Sequence, residues 1–235
     1  MKVIGMIGGM SWESSIEYYR IINQEIGRAL GGVHSARSVM VSVDFGEIED
    51  LQMQGEWDQA AEIMIRCAKA VESAGADFLL ICTNTMHLMA EEVAASVNIP
   101  LLHIADATAR AVRTAGLEKV GLLGTRFTME KDFYRGRLES LHGLEVIVPD
   151  ASGRELVHRV IYDELVQGSI REASRQEYLA VIDQLVQNGA QGIVLGCTEI
   201  GLLIKADDVS VPVFDTMEIH ARTAVEAALD QYQIR

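Results

Sequence analysis

Cysteine, proline and basic charge are all scarce in this sequence, and each shortage closes off a class of protein. The three cysteines, Cys67, Cys82 and Cys197, are an odd and sparse set. They make no disulfide framework, and no two have the C-x-x-C spacing of a zinc ligand pair. A reducing compartment is their simplest setting, so a cytoplasmic location is the expectation. Three prolines in 235 residues leave no room for a Pro-rich, disordered tail. Twenty Lys and Arg stand against 34 Asp and Glu, a net charge of −14. That excess argues against a nucleic-acid binder, which needs a basic surface to displace counterions. It leaves open a local anion site built from backbone N–H groups. No run of about 18 apolar residues occurs, so no membrane span is expected. The N-terminus, MKVIGMIGGMSWE, carries one Lys and a short apolar run broken by Gly8 and Gly9 and closed by Glu13. It is too short for a signal peptide and reads as a first strand.

What is present is an alternation. Short apolar runs at Val3–Ile7, Val39–Val43, Phe78–Ile81, Val120–Leu123, Leu144–Val148 and Ile193–Leu195 are strand candidates. Between them, segments of helical period cover Ser14–Ile26, Trp57–Ala74, Met129–Leu141, Ser152–Gln167 and Ser174–Asn188. In the last, Tyr178, Val181, Ile182, Leu185 and Val186 recur at three and four, the stripe of an amphipathic helix. Strands bounded by such helices predict βαβ units and an α/β fold with parallel sheets covered on both faces.

The chain also repeats itself. Ile4-Gly-Met-Ile-Gly8 reads like Val120-Gly-Leu-Leu-Gly124, and Tyr18-Tyr19-Arg20 like Phe133-Tyr134-Arg135, at offsets of 116 and 115. Ala74-Gly75-Ala76 reads like Asn188-Gly189-Ala190, and Val97-Asn-Ile-Pro100 like Val209-Ser-Val-Pro212, at offsets of 114 and 112. Shared βα turns explain a Gly after a strand but not matched Tyr-Arg and Val-x-(Ile/Val)-Pro landmarks. The expectation is two similar lobes related by a pseudo-two-fold axis. Residues 1–100 with 213–235 form the first lobe and 101–212 the second. Ligands of open α/β sheets bind beyond the carboxyl ends of strands, so the active site is expected in the inter-lobe cleft.

Two strand ends carry the chemistry. Phe78-Leu-Leu-Ile81 stops at Cys82-Thr83-Asn84-Thr85, and Ile193-Val-Leu195 at Gly196-Cys197-Thr198-Glu199. Asn84, Thr85 and Thr198 offer hydrogen-bond donors where the backbone turns into the next helix, though such residues also serve simply as caps. A free cysteine is usually a buried hydrophobe, yet a helix N-terminus behind Cys197 is expected to lower its pKa toward a reactive thiolate. By the offset of 114 its counterpart is Thr83. Neighbouring strand residues point to opposite faces, so Cys82, like Cys67, is expected to be a packing residue. His87 and His103 lie nearby and read as capping or core groups. Gly5-x-x-Gly8-Gly9 lacks the G-x-G-x-x-G spacing of a dinucleotide site, and no motif suggests pyridoxal phosphate or a metal.

The segments Gly8-Gly9-Met10-Ser11-Trp12-Glu13-Ser14, Asn84-Thr85-Met86-His87 and Gly196-Cys197-Thr198-Glu199 resemble the aspartate/glutamate racemase family, over the whole chain. The resemblance implies two α/β lobes, a homodimer, an amino-acid substrate and no cofactor. It also implies inversion of the α-carbon by two cysteines, one per lobe, on opposite faces of the substrate. The second is matched by Cys197; the first position is held by Thr83, whose hydroxyl is a poor base. Thr83 and Cys197 are thus the expected catalytic pair, with conversion from L to D favoured kinetically. Met10, Ser11, Gln52, Asn84, Thr85 and Thr198 are the expected substrate contacts. Aspartate racemases of the family carry a basic residue where Tyr162-Asp163-Glu164-Leu165 stands here. By position in the family pattern, Gln52 and Met10-Ser11 are the candidates for the distal acid; the alternative is that the preferred side chain is not acidic.

Two rivals remain. Decarboxylases of the same fold keep only the second-lobe cysteine, as this chain does. A non-catalytic amino-acid sensor would keep the cleft without the proton transfer.

Overall fold

The structure, a computed structural model, describes residues 1–234. Its chain folds into two compact α/β units, crossing from Ile104 into Ala105 and returning at Ile219–His220. In the first unit, β1 (Ile4–Gly8), β2 (Ser38–Ser42) and β3 (Phe78–Ile81) form a parallel sheet in the order β2-β1-β3. In the second, β4 (Lys119–Gly124), β5 (Glu145–Ile147), β6 (Gly192–Gly196) and β7 (Val213–Asp215) form a parallel sheet in the order β5-β4-β6-β7. β1, β3 and β6 are buried at every residue, which is why they read as continuous apolar runs rather than alternating ones.

The internal repeat is a repeat of strand register. Gly5 pairs with Leu79 in the first sheet and Gly121 with Ile193 in the second, displaced by the same 116 and 114 residues as the sequence match. The Val-x-(Ile/Val)-Pro landmarks have a backbone role. The Leu79 amide donates to the Pro100 carbonyl and the Ile193 amide to that of Pro212, each at 2.9 Å. In the second unit this pairing continues as β7; in the first it is reduced to the parallel bridge Leu79↔Leu101. Gly75 and Gly189 both take positive φ, +89° and +94°, where a side chain would be strained. The buried tyrosines of the two repeats are Tyr18 and Tyr134. They stand one residue out of step with the match of Tyr-Arg pairs, because Tyr19 faces solvent.

Each unit has its own core. The first gathers Ile7, Met64, Val71, Leu79, Ile81 and Met86; the second packs Tyr178, Ile182 and Leu185 of the expected helical stripe against Leu123, Ile193 and Leu195. Each such side chain contributes about 1.5–3 kcal/mol by leaving water. The helices differ from expectation in definite ways. The segment expected as one helix over Met129–Leu141 is two, Arg126–Glu130 and Asp132–His142, broken at Lys131, whose backbone is extended. The helix from Ala151 ends at Asp163 rather than running to Gln167. Helices Ile104–Thr114 and Thr216–Ala228 escape the periodicity argument. Their buried faces are mostly small or polar, Ala105, Ala107, Thr108 and Ala109 in one and Thr216, His220, Ala221, Thr223 and Ala224 in the other, with only a few larger apolar residues, Ile104 and Val112, and Met217 and Val225. Among the described residues no helix is long and apolar enough to cross a membrane, and no cluster of His, Cys, Asp and Glu could hold a metal ion.

Candidate active site

In the first unit the candidate residues leave adjacent strands at the same edge of the sheet. Ile7 pairs with Ile81, and the Cys82 amide donates to the Ile7 carbonyl at 2.9 Å. Residues 9–11 and 82–85 therefore emerge side by side from the carboxyl ends of β1 and β3. Gly9 has φ +93°, and a Cβ there would lie 2.2 Å from the Val43 carbonyl; only glycine makes this turn. Its amide donates to Ser15 Oγ at 2.7 Å, and that hydroxyl donates to the Ser11 carbonyl at 3.0 Å. Ser11 caps the helix Trp12–Leu30, its Oγ accepting the Ser14 amide at 3.4 Å. The neighbouring Met10 side chain belongs to the hydrophobic core.

On the other side of that edge, just beyond β3, Cys82 is wholly buried while Thr83 is half-buried. Burial pushes the Cys82 thiol far above its ordinary pKa, which leaves it inert. Asn84 and Thr85 are buried and lead into the 3₁₀ turn Thr85–Met89. Gln52, on the helix Phe45–Gln54, is buried and donates from Nε2 to Met86 Sδ at 3.1 Å. Gln52 and the Thr83–Thr85 turn are thereby brought together; this helix is a further element that periodicity did not reveal.

The second unit repeats the plan. β4 and β6 approach so closely at their carboxyl ends that a Cβ on Gly124 would lie 2.8 Å from the Gly196 carbonyl oxygen. Thr125 follows β4 and caps Arg126–Glu130, while Thr216, after β7, donates from Oγ1 to the Leu195 carbonyl at 2.8 Å. Cys197 follows β6 directly and is half-buried.

Its environment corrects one expectation. A helix N-terminus was to favour the thiolate, but the helix that follows, Ile200–Leu203, has four residues and little dipole to offer. Instead Cys197 Sγ donates to Glu199 Oε2 at 3.0 Å. Burial, the Glu199 charge and that hydrogen bond push the thiol well above its ordinary pKa, outweighing the backbone N–H groups of Thr198 and Glu199 that pull it down. The resting group is a neutral thiol facing a proton acceptor. Thr198 Oγ1 donates to the same Oε2 at 2.7 Å, which fixes the carboxylate. Glu199 is the residue missed by reading the sequence. It stands in the Gly-Cys-Thr-Glu motif, but residue type alone does not say that its carboxylate turns back to the sulfur.

Within the acidic stretch, Glu164 has a structural role just past the helix end. Glu164 accepts from Ser174 Oγ at 2.6 Å and lies 3.5 Å from Arg171, so it ties two helices together. The chemistry assembled at the carboxyl ends is thus a thiol with a carboxylate at β6, and a hydroxyl with amide and hydroxyl donors at β3.

The comparisons with known proteins agree with this geometry. Over 97% of its length the chain superposes with a TM-score of 0.92 on all of a Yersinia pestis protein described as a candidate Asp/Glu racemase, at 55% identity. An aspartate racemase homologue from Pyrococcus horikoshii OT3 is 38% identical, with a TM-score of 0.83 over 97% of this chain and 100% of that one. The broad specificity amino-acid racemase RacX of Bacillus subtilis is 22% identical over 179 residues, 73% of this chain and 74% of that protein. Residues 7–224 match the model of the Asp/Glu/Hydantoin racemase family; the chain belongs to that family and is an isomerase of the racemase type.

Proposed function

We propose that this chain inverts the α-carbon of aspartate and glutamate without a cofactor, working most readily from the L-isomer. Cys197 takes the α-proton from one face and Thr83, or a water beside it, returns one to the other. The observation that carries the reading is the thiol–carboxylate pair at the end of β6, since Cys197 Sγ donates to Glu199 at 3.0 Å. The thiol proton passes along that hydrogen bond to Glu199, and the thiolate then accepts the substrate's α-proton. Charge developing on the substrate carboxylate needs oriented donors, a part suited to Asn84, Thr85 and Thr198. Gln52 and Ser11 are the candidates for the distal acid. A carbanion is a stronger base than an alkoxide, so the Thr83 hydroxyl can protonate it, and water then restores the hydroxyl. The names of the similar proteins, an aspartate racemase homologue and a broad specificity racemase, support an amino-acid substrate. By family likeness the protein works as a cytoplasmic homodimer, which sedimentation of the purified protein checks.

One observation favours a second reading. Only Cys197 among the three cysteines is partly exposed, the arrangement of a one-cysteine decarboxylase that protonates an enolate-like intermediate. Solvent deuterium entering Cα across a panel of L- and D-amino acids supports racemisation. CO₂ release from malonates without such exchange supports decarboxylation, and binding without either supports a sensor.

A further inference from the structure

His87 lies four residues beyond Thr83 in the turn Thr85–Met89, and it is buried. Its two ring nitrogens have opposite, fixed roles. The Ile104 amide donates to Nε2 at 3.2 Å. A backbone N–H cannot accept, so Nε2 carries no proton and Nδ1 does. Nδ1–H then donates to the Thr83 carbonyl oxygen at 2.7 Å. The opposite tautomer would set a donor against the Ile104 amide and a lone pair against the Thr83 carbonyl. A second histidine holds the same segment: His220 Nε2 donates to the Leu102 carbonyl at 2.9 Å, and its Nδ1 accepts from the Tyr18 hydroxyl at 2.8 Å. The His87 ring packs 4.5 Å from His103 and 6.0 Å from His220, centroid to centroid. Leu102–Ile104 is the stretch through which the chain leaves the first unit, for Ala105 begins the second.

We propose that His87 is a positioning residue for Thr83, tying the backbone of the proton-returning residue to the Leu102–Ile104 segment through an imidazole bonded at both ends. A proton donor must be held within a fraction of an ångström of its acceptor to compete with return from the other face. A histidine that served only to stabilise the turn would change how many molecules fold, not how a folded one divides its protons. The proposal rests on the reading of Thr83 given above.

The test starts from L-aspartate in D₂O and measures the ratio of D-product formed to deuterium found in recovered L-substrate. His87→Ala should lower that ratio by roughly tenfold, and His87→Asn, which retains an N–H near Nδ1, should recover much of it. An unchanged ratio in His87→Ala, with both processes slowed together, overturns the proposal. Thr83→Val run alongside separates the two claims. If it leaves the ratio intact, the reading of Thr83 fails and the role of His87 with it. If it collapses the ratio while His87→Ala does not, only the role of His87 fails. Should the variants not fold, ¹⁵N NMR of the unaltered protein decides: His87 is expected protonated at Nδ1, and a proton on Nε2 overturns the proposal.

Discussion

Cys197 and Glu199 are joined by a hydrogen bond in which the thiol donates, Sγ to Oε2 at 3.0 Å. The carboxylate affects the thiol in two opposing ways. Its charge makes the thiolate harder to form, and its lone pair is where the thiol proton can go. Glu199→Gln removes the charge and, although its amide oxygen still accepts a hydrogen bond, the basicity needed to take the proton. The loss of charge should bring the thiol pKa down toward its ordinary value and speed alkylation of Cys197 by iodoacetamide. Loss of the base should slow racemisation by about 100-fold, the scale of a positioned acid–base group. Faster alkylation with undiminished turnover would remove Glu199 from the proton path.

The three cysteines should separate cleanly. Cys197→Ser should lower turnover from L-substrate by at least about 100-fold with little change in melting temperature, since the residue is half-buried. Cys82→Ser puts a hydroxyl into a site of 0% exposure and should cost about 1–3 kcal/mol of stability, measured by urea denaturation. Activity per folded molecule should stay near normal. Cys67→Ser should be milder in both respects. A Cys197→Ser enzyme of near-normal rate would end its role as the acid–base group.

How much of this is legible in the residues follows from what each signal depends on. Buried parallel strands announce themselves as apolar runs, and the repeated register of Gly5 with Leu79 and Gly121 with Ile193 leaves a chain-wide offset because it is copied residue by residue. The split between Cys82 and Thr83 agrees with the expected alternation, although both residues lie just beyond the end of β3 at Ile81. The helix Thr216–Ala228 is hard to see by periodicity because its buried face interleaves the polar Thr216, His220 and Thr223 with alanines and only Met217 and Val225 as larger apolar residues. Likewise, the expected thiolate at Cys197 assumes a helix long enough to carry a dipole. The four residues of Ile200–Leu203 and the carboxylate beside the sulfur reverse that sign, and neither is a property of the motif.

Stability should fall as pH drops below the ordinary histidine range, because of His220. Burial pushes its pKa down to about 4, despite the hydrogen bond to Leu102 that favours the charged form. The folded state thus keeps His220 neutral where the unfolded chain, with a pKa of about 6.5, takes up a proton. The unfolded state binds more protons in that window, so stability decreases as pH falls from about 6.5 to about 4, by about 3 kcal/mol for such a difference in pKa. His158, also shifted down by burial, adds to the same trend. His220→Gln, which keeps an N–H for the Leu102 carbonyl and does not titrate, should flatten the dependence while lowering stability at pH 7. Equal slopes of urea midpoint against pH in the two proteins would show that His220 is not the source.

The last prediction follows from the unlike chemistry at the ends of β3 and β6. On the proposed mechanism the base toward the L-isomer is Cys197, a thiol that can ionise, and Thr83 need only give up a proton to a carbanion. Starting from the D-isomer, Thr83 itself must be the base, and a hydroxyl scarcely ionises in water. The kcat from D-substrate should therefore be much lower than from L-substrate. The two enantiomers are equal in free energy, so kcat/KM must be the same in both directions, and the slow direction must carry a proportionally smaller KM. Thr83→Cys supplies an ionisable group of similar size and should raise kcat from the D-isomer by more than kcat from the L-isomer. Thr83→Val should suppress inversion from L while leaving exchange of the α-hydrogen at the Cys197 face. Progress curves from each enantiomer, followed by circular dichroism, measure both effects. Equal kcat from the two isomers in the natural protein, unaltered by Thr83→Cys, would dismiss Thr83 as the second acid–base group.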